Sequence, residues 1–174
     1  MYRIRKSIDI DFSHQIRGHQ GPCINLHGHT WKFEVEIEAE ALNPEGFVVD
    51  FKDLKTQVLL PCHALLDHAL AIGQETFDEV GGSLASVGEK LLAQRSVPLP
   101  TPGSAAIDNL QGAHNQYPGG MKVAVFPFSP TSERLARWLY ELACSRLNRD
   151  GIRVVLGRVY ETLHPVESVA EYFE

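Results

Sequence analysis

Three histidines share one face of two predicted strands, which is the arrangement that a bound metal ion requires. In residues 2–14 the even positions are mostly apolar and the odd positions polar, so this stretch is expected to be a half-buried strand with His14 on its apolar side. His27 and His29 lie on the apolar face of a second alternating stretch, residues 29–41 and the residues just before it. Because side chains two apart on a strand point to the same side, both rings can face His14 if the strands pair.

Three imidazoles without a fourth protein ligand are typical of a catalytic zinc site that keeps one position open for water or substrate. A single histidine on an apolar face is as often a hydrogen-bonded core residue. Three such residues on one face, with Gly28 between two of them, favour the metal-binding interpretation.

A cysteine and an Asp-His pair could supply proton transfer. Cys23 precedes His27 by four residues and could be a metal ligand, an inert thiol or a base whose pKa is lowered by a nearby cation. Asp67 and His68 are adjacent and could form a relay in which the carboxylate orients the imidazole. A solvated helix end is the more common explanation of such a dipeptide by itself.

Glu161 has the same parity as Val159 and Leu163 in a predicted C-terminal strand. A carboxylate on an apolar strand face must be paired or used. It could grip two neighbouring N–H groups of a heterocycle, since that pair matches carboxylate geometry. An ordinary salt bridge is the simpler alternative and, without further context, the preferred one.

The elements that must hold these residues follow from the changing period of the apolar pattern. A helix that Pro61 bends or divides begins near Asp50, and Gly81-Gly82 opens a short amphipathic piece at about 84–92. Prolines and glycines then predict a long loop over 98–112, followed by an extended segment at 122–128. Ser129-Pro130-Thr131 is a helix-start signal, with Ser129 or Thr131 as the N-cap, and the helix it begins precedes a strand or hairpin over 152–173.

This order predicts an α+β domain with an antiparallel sheet and helices on one face, because strands and helices do not alternate regularly. The other face of the sheet needs a cover, which oligomerisation could supply. The whole chain, 1–174, is predicted to be a single domain with a long insert at about 74–120.

Composition excludes several classes of function. The 174 residues carry a formal net charge of −6, which argues against nucleic acid as a main partner, because phosphate contacts need a basic surface. No apolar run approaches the length of a membrane helix, and the N-terminus lacks the apolar core of a secretion signal. Three scattered cysteines make a disulfide framework improbable, so the cytoplasm is the expected compartment.

Together these motifs resemble the 6-pyruvoyltetrahydropterin synthase / 6-carboxytetrahydropterin synthase family. The resemblance covers residues 1–73 and 121–174, and its most specific element is Cys23-x3-His27-Gly-His29. It implies the tunnelling fold (T-fold), in which a four-stranded antiparallel sheet with two helices forms a barrel as a trimer and two trimers stack into a hexamer. The other motifs, in the family's order, are the strand ending in His14, Val49-Asp50-Phe51, Leu66-Asp67-His68, Pro130-Thr131-x-Glu133 and Tyr160-Glu161-Thr162.

The resemblance also implies a role for each matching residue. His14, His27 and His29 would bind Zn2+, and Cys23 would be the catalytic thiol. Asp67 and His68 of a neighbouring subunit would form the relay that acts on this thiol. The pterin ring would be held by Glu161, Thr131, Ser132 and Glu133.

The substrate that the resemblance implies is 7,8-dihydroneopterin triphosphate. We expect the 6-carboxytetrahydropterin branch, in which loss of triphosphate is accompanied by carbon–carbon cleavage and release of acetaldehyde, in the queuosine pathway. The alternatives are the pyruvoyl branch, in which the carbon chain stays intact, a non-catalytic pterin-binding relative, and a cupin-like metal enzyme. Cupins also place His-x-His on a strand but expect a glutamate ligand a few residues later, and Glu34 has the wrong parity.

Overall fold

A computed structural model describes residues 1–96 and 110–174, so most of the predicted 98–112 loop lies outside the described residues. Short 3-10 turns occur at Pro22–Ile24 and Pro118–Gly120. The regular elements are β1 (Tyr2–His14), β2 (His27–Ala39), α1 (Phe51–Leu54), a π-helical turn (Lys55–Leu59), α2 (Leu60–Leu66), β3 (Leu70–Gly73), α3 (Gln74–Leu92), β4 (His114–Gln116), β5 (Val123–Phe126), α4 (Ser132–Leu147), β6 (Ile152–Thr162) and β7 (Ser168–Tyr172).

The strands form one mixed sheet of seven strands in the order β4-β5-β3-β1-β2-β6-β7. The α+β class is therefore confirmed, but the prediction of four antiparallel strands is wrong in its count and direction. β1, β2, β6 and β7 match predicted strands, and β5 lies within the extended segment predicted at 122–128. β3 and β4 were not predicted, and β3 pairs in parallel with both β1 and β5. β3 is buried at all four positions, as a central parallel strand should be.

The described chain divides into two compact units, the first comprising residues 1–11, 29–64 and 131–174. Within it, α4 packs on β6. Gly157 permits close approach, since a Cβ there would lie 2.7 Å from the carbonyl oxygen of Ala136. Trp138 and Leu139 on α4 are among the buried side chains of this unit.

The polar side of β2 is also buried, because arginines cover its glutamates. Glu34 pairs with Arg158 of β6, and Glu38 pairs with both Arg3 of β1 and Arg153 of β6. The Glu34 carboxylate is thus paired with an arginine, so it does not serve as the glutamate ligand that a cupin-like metal site needs.

The predicted bend near Pro61 is a π-helical turn. The amide of Leu60 donates to the carbonyl of Lys55, five residues back, immediately before Pro61. A proline lacks the N–H that the helical ladder needs, and the π turn shifts the ladder at that point. Asp50 caps the start of the helix by accepting from the amide of Lys52.

The second unit comprises residues 12–28 and 65–130, and its principal helix is α3. The helix begins ten residues before the predicted amphipathic piece and contains Gly81-Gly82 in its interior. Burial outweighs the low helix propensity of glycine here. Phe77, Val80 and Leu84, at helical spacing, pack on a cluster formed by Leu70, Ile72, Val123 and Val125.

Within residues 1–96 and 110–174, no helix has both the length and the hydropathy that crossing a bilayer would take.

Candidate metal centre

His14 and His27 have ring orientations fixed by the backbone. Nδ1 of His14 lies 3.0 Å from the carbonyl oxygen of Pro130, and Nδ1 of His27 lies 2.9 Å from that of Asn25. A carbonyl can only accept, so each Nδ1 carries the proton. In the neutral rings each Nε2 therefore presents a lone pair, and the two Nε2 atoms lie 3.0 Å apart.

Two lone pairs at that distance repel unless a cation lies between them. A tetrahedral zinc with Zn–N bonds of about 2.0–2.1 Å places two nitrogens roughly 3.3 Å apart, close to the separation observed. Nδ1 bonds to backbone carbonyls are also the usual outer support of metal-binding histidines. The donor set at His14 and His27 thus fits a metal ion.

His29 and Glu161 form the second pair of the site. Nε2 of His29 lies 3.4 Å from Oε1 of Glu161, and the His29 ring meets the Trp31 ring edge-on at a centroid distance of 5.4 Å. The other carboxylate oxygen of Glu161 accepts a hydrogen bond of 2.5 Å from the Ser132 hydroxyl. The carboxylate is therefore oriented from both sides.

Four residues carry potential metal-ligand atoms, His14 and His27 in the second unit and His29 and Glu161 in the first. His14 is fully buried and the other three are half-buried. Three imidazoles and one carboxylate are borderline ligands that suit zinc. A carboxylate is itself a zinc ligand, a role for Glu161 that the sequence patterns did not predict.

Helix α4 begins where the pterin-binding motif was expected. Thr131 is its N-cap and accepts from the amide of Arg134, as one of the two predicted caps should. Ser132 is the first helical residue and contacts Glu161, whereas Glu133 lies in the first turn of the helix.

Asp67 and His68 form a direct pair at the turn between α2 and β3. Nδ1 of His68 lies 3.0 Å from Oδ2 of Asp67, and the side chain of His68 is 81% exposed. His68 adopts a left-handed conformation with φ of 57°, which non-glycine residues rarely adopt. The carboxylate can thus orient an imidazole that is open to a substrate or to a second chain.

Cys23 is the middle residue of the 3-10 turn Pro22–Ile24 and is half-buried. Its carbonyl accepts from the amide of Ile16, which ties the turn back to the end of β1. Cys62, by contrast, is fully buried, and burial raises the pKa of its thiol far above the ordinary value. Cys62 therefore stays protonated and inert.

Two polar residues near this region had no signal in the sequence. Lys122 donates to the carbonyl of Asp67 at 2.7 Å, and Asn115 donates to the carbonyl of Leu65 at 2.8 Å. Both lie more than forty-five residues from their partners, and no motif marks either of them. Only the pairing of β4, β5 and β3 brings these residues together.

Comparison with known proteins gives a family match over nearly the whole chain. The model of the family described as 6-pyruvoyl tetrahydropterin synthase matches residues 3–173. A protein of Haemophilus influenzae named 6-carboxy-5,6,7,8-tetrahydropterin synthase is 36% identical over 94 residues, which are 52% of this chain and 65% of that protein. That match spans just under two thirds of the relative. A protein of the same name from Aquifex aeolicus is 28% identical over 156 residues, covering 87% of this chain and 76% of the relative.

Solved structures agree on the fold. An uncharacterized protein of Wolinella succinogenes, WS1659, superposes with a TM-score of 0.66 at 24% identity, over 99% of this chain and 98% of that one. The 6-pyruvoyl tetrahydropterin synthase of Caenorhabditis elegans gives a TM-score of 0.56 at 16% identity, over 99% and 95%. The sequence match and the shared T-fold lead to one conclusion: this chain belongs to the 6-pyruvoyl tetrahydropterin synthase family.

Proposed function

We propose that the protein is a zinc-dependent 6-carboxy-5,6,7,8-tetrahydropterin synthase acting on 7,8-dihydroneopterin triphosphate. The observation that carries this proposal is the 3.0 Å approach of the His14 and His27 Nε2 atoms. His14, His27 and His29 would hold the ion. Bound there, Zn2+ supplies Lewis-acid polarisation and orientation of the substrate side chain.

Glu161 anchors the pterin ring in this proposal. A carboxylate matches two neighbouring N–H donors of the heterocycle, and the Ser132 hydroxyl fixes one of its oxygens at 2.5 Å. Thr131 and Glu133 flank Ser132 at the start of α4 and complete the ring site. The residues of this site select the substrate class, since triphosphate and side chain extend away from the ring.

Cys23, Asp67 and His68 move the protons. Elimination of triphosphate requires a proton to leave carbon and another to reach oxygen, and thiol and imidazole are the groups on this chain suited to both. Asp67, 3.0 Å from Nδ1 of His68, orients the ring so that Nε2 is available for transfer. The relay acts on Cys23 from a neighbouring subunit, so the working enzyme is a homo-oligomer, a dimer of trimers by analogy with the family.

The carboxy product is favoured over the pyruvoyl product by the names of the relatives, which include those of Haemophilus influenzae and Aquifex aeolicus. The reaction then includes carbon–carbon cleavage with release of acetaldehyde, and its product feeds 7-deazapurine synthesis for queuosine in the cytoplasm. The pyruvoyl branch is the second candidate, because the matching family model carries that name.

Product analysis by mass spectrometry tests the proposal. Zinc-loaded protein is incubated with 7,8-dihydroneopterin triphosphate, and the expected products are 6-carboxytetrahydropterin, acetaldehyde and triphosphate. A 6-pyruvoyl product without acetaldehyde would move the chain to the other branch. Substrate binding without turnover would identify a non-catalytic relative. The Glu161→Ala protein is the matched control, since it should retain the fold but lose the ability to bind the substrate.

A further inference from the structure

The carbonyls around the Asp67–His68 pair are held by two side chains from the segment that leads into β5. Helix α2 ends at Leu66, and the last carbonyls of a helix have no partner within it. The amide of Asn115 donates to the carbonyl of Leu65 at 2.8 Å, and Nζ of Lys122 donates to that of Asp67 at 2.7 Å. The backbone closes the turn, because the amide of Ala69 donates to Leu66 at 2.8 Å.

Lys122 is tied to the same turn through its own backbone. Its carbonyl accepts a hydrogen bond from the amide of Leu70 at 3.1 Å. The side chain of Lys122 thus binds the backbone just before His68, and its main chain binds the backbone that follows His68. Asn115 pairs opposite Ala124 in the sheet, and its amide also reaches the carbonyl of Val123 at 3.4 Å. Asn115 therefore stands on a paired strand, and Lys122 immediately precedes one.

The turn needs such support. His68 has a φ of 57°, and a residue in that region persists only where its surroundings determine it. A cation beside the carboxyl end of a helix also complements the negative end of the helix dipole. Lys122 is half-buried, and its charge interacts with Asp67 as well as with the carbonyl. Burial disfavours the charged ammonium and lowers the pKa of Lys122.

We propose that Lys122, assisted by Asn115, is a positioning residue for the Asp67–His68 pair, acting through the backbone of the turn that carries it. The inference rests on the proposed function, in which this pair moves protons. The holding group combines Asn115, outside the stretches that carry the resemblance to the family, with Lys122, at the start of the second of those stretches. It makes the geometry of the relay depend on the segment around residues 110–122.

The test compares Lys122→Met with Lys122→Arg in the full-length, zinc-loaded protein. A displaced proton-transfer group costs turnover rather than substrate affinity, so Lys122→Met should lower kcat by about ten- to a hundred-fold and leave KM within about two-fold. Lys122→Arg keeps a cationic donor and should recover most of kcat. Asn115→Asp, which loses the donor, should lower kcat in the same direction by less. Lys90→Met, on the exposed side of α3, is the charge-matched control and should match wild type.

Amide hydrogen exchange at Ala69 and Leu70 supplies a readout that needs no substrate. Exchange should rise in Lys122→Met and return to the wild-type rate in Lys122→Arg. Unchanged kcat in Lys122→Met, a rise in KM with kcat retained, or a loss that Lys122→Arg does not rescue would each overturn the proposal. If the wild-type protein does not turn over dihydroneopterin triphosphate, the proposed function fails. The exchange rates then decide alone whether Lys122 holds the turn.

Discussion

The Ser132 hydroxyl donates a 2.5 Å hydrogen bond to one carboxylate oxygen of Glu161, while the other oxygen lies 3.4 Å from Nε2 of His29. This bond joins the first residue of α4 to the end of β6, the strand on which the helix packs. The carboxylate is thus fixed between the His29 imidazole and a helix terminus, and its orientation depends on Ser132.

Removing that hydroxyl should weaken substrate binding more than turnover. Hydrogen bonds to charged groups contribute about 1.5–3 kcal/mol, so Ser132→Ala should raise KM by roughly ten-fold with a smaller change in kcat. Steady-state kinetics of the zinc-loaded enzyme measure this split. Ser145→Ala on the same helix is the control, since that hydroxyl bonds only to the backbone carbonyl of Leu142. An equal loss in kcat and no change in KM would show that Ser132 does not act through ring binding.

Zinc content should depend on all three histidines. His29→Ala and the triple variant at His14, His27 and His29 should lose the metal, because the single variant removes one of the three imidazoles proposed to hold the ion and the triple variant removes all of them. Metal analysis after dialysis measures the stoichiometry, expected to be one zinc per wild-type chain. His19→Ala, an exposed histidine of the loop between β1 and β2, should retain it. Glu161→Gln should also retain it; loss of metal there would make Glu161 a ligand.

Cys23 should matter for turnover but not for metal. Cys23→Ala should keep the fold and one zinc per chain. It should lower kcat by a factor of about 10²–10⁴, the usual contribution of general acid–base catalysis. Cys144→Ala, the other half-buried cysteine, serves as the matched control. Metal analysis and kinetics are made on the same preparations. Loss of zinc from Cys23→Ala would identify the thiol as a fourth ligand, and full turnover would place the base elsewhere.

Strands β1 and β2 were predicted correctly because a strand imposes a period of two on its side chains whatever surrounds it. The positions of His14 at the end of β1 and of His27 and His29 at the start of β2 follow from this local pattern. The N-cap at Thr131 and the discontinuity at Pro61 were equally local, since each depends on the chemistry of one residue. These parts of the fold are set within a few residues of chain.

Long-range pairing could not be predicted in the same way. β3 is four residues long, and its parallel partners β1 and β5 are distant in sequence, so no local period marks it as a strand. Helix α3 extends through Gly81-Gly82 because Phe77 and Val80 pack on side chains of β3 and β5. No local pattern in the sequence predicts this contact. The contacts of Lys122 and Asn115 depend on the same pairings and were missed for the same reason.

Acid should destabilise the sheet through Glu38. Hydrogen bonds from Arg153 and Arg3 lower the pKa of its carboxyl below the ordinary value. A carboxyl with a lower pKa in the folded state stabilises the fold above its unfolded pKa, and this contribution is lost as pH falls through the folded pKa. Glu38→Gln should therefore lower the thermal midpoint at pH 7, and the difference from wild type should shrink as the pH falls below the ordinary pKa of a glutamate. Glu40→Gln, at an exposed position immediately after the same strand, is the control. An equal loss of stability in that variant would show that the arginine pairing of Glu38 is not the cause.

Sharing of the active site between subunits can be tested by mixing two inactive variants. Cys23→Ala lacks the thiol, and His68→Ala lacks the relay imidazole. If each site takes its thiol and its relay from different chains, co-refolded mixed oligomers should recover about one quarter of wild-type activity, because half of the chains supply each intact group. Each variant refolded alone is the control. Sedimentation should show a trimer or hexamer for all three preparations. If the mixture stays inactive although mixed oligomers form, the relay and the thiol belong to one chain; full activity in a monomer would rule out a shared site altogether.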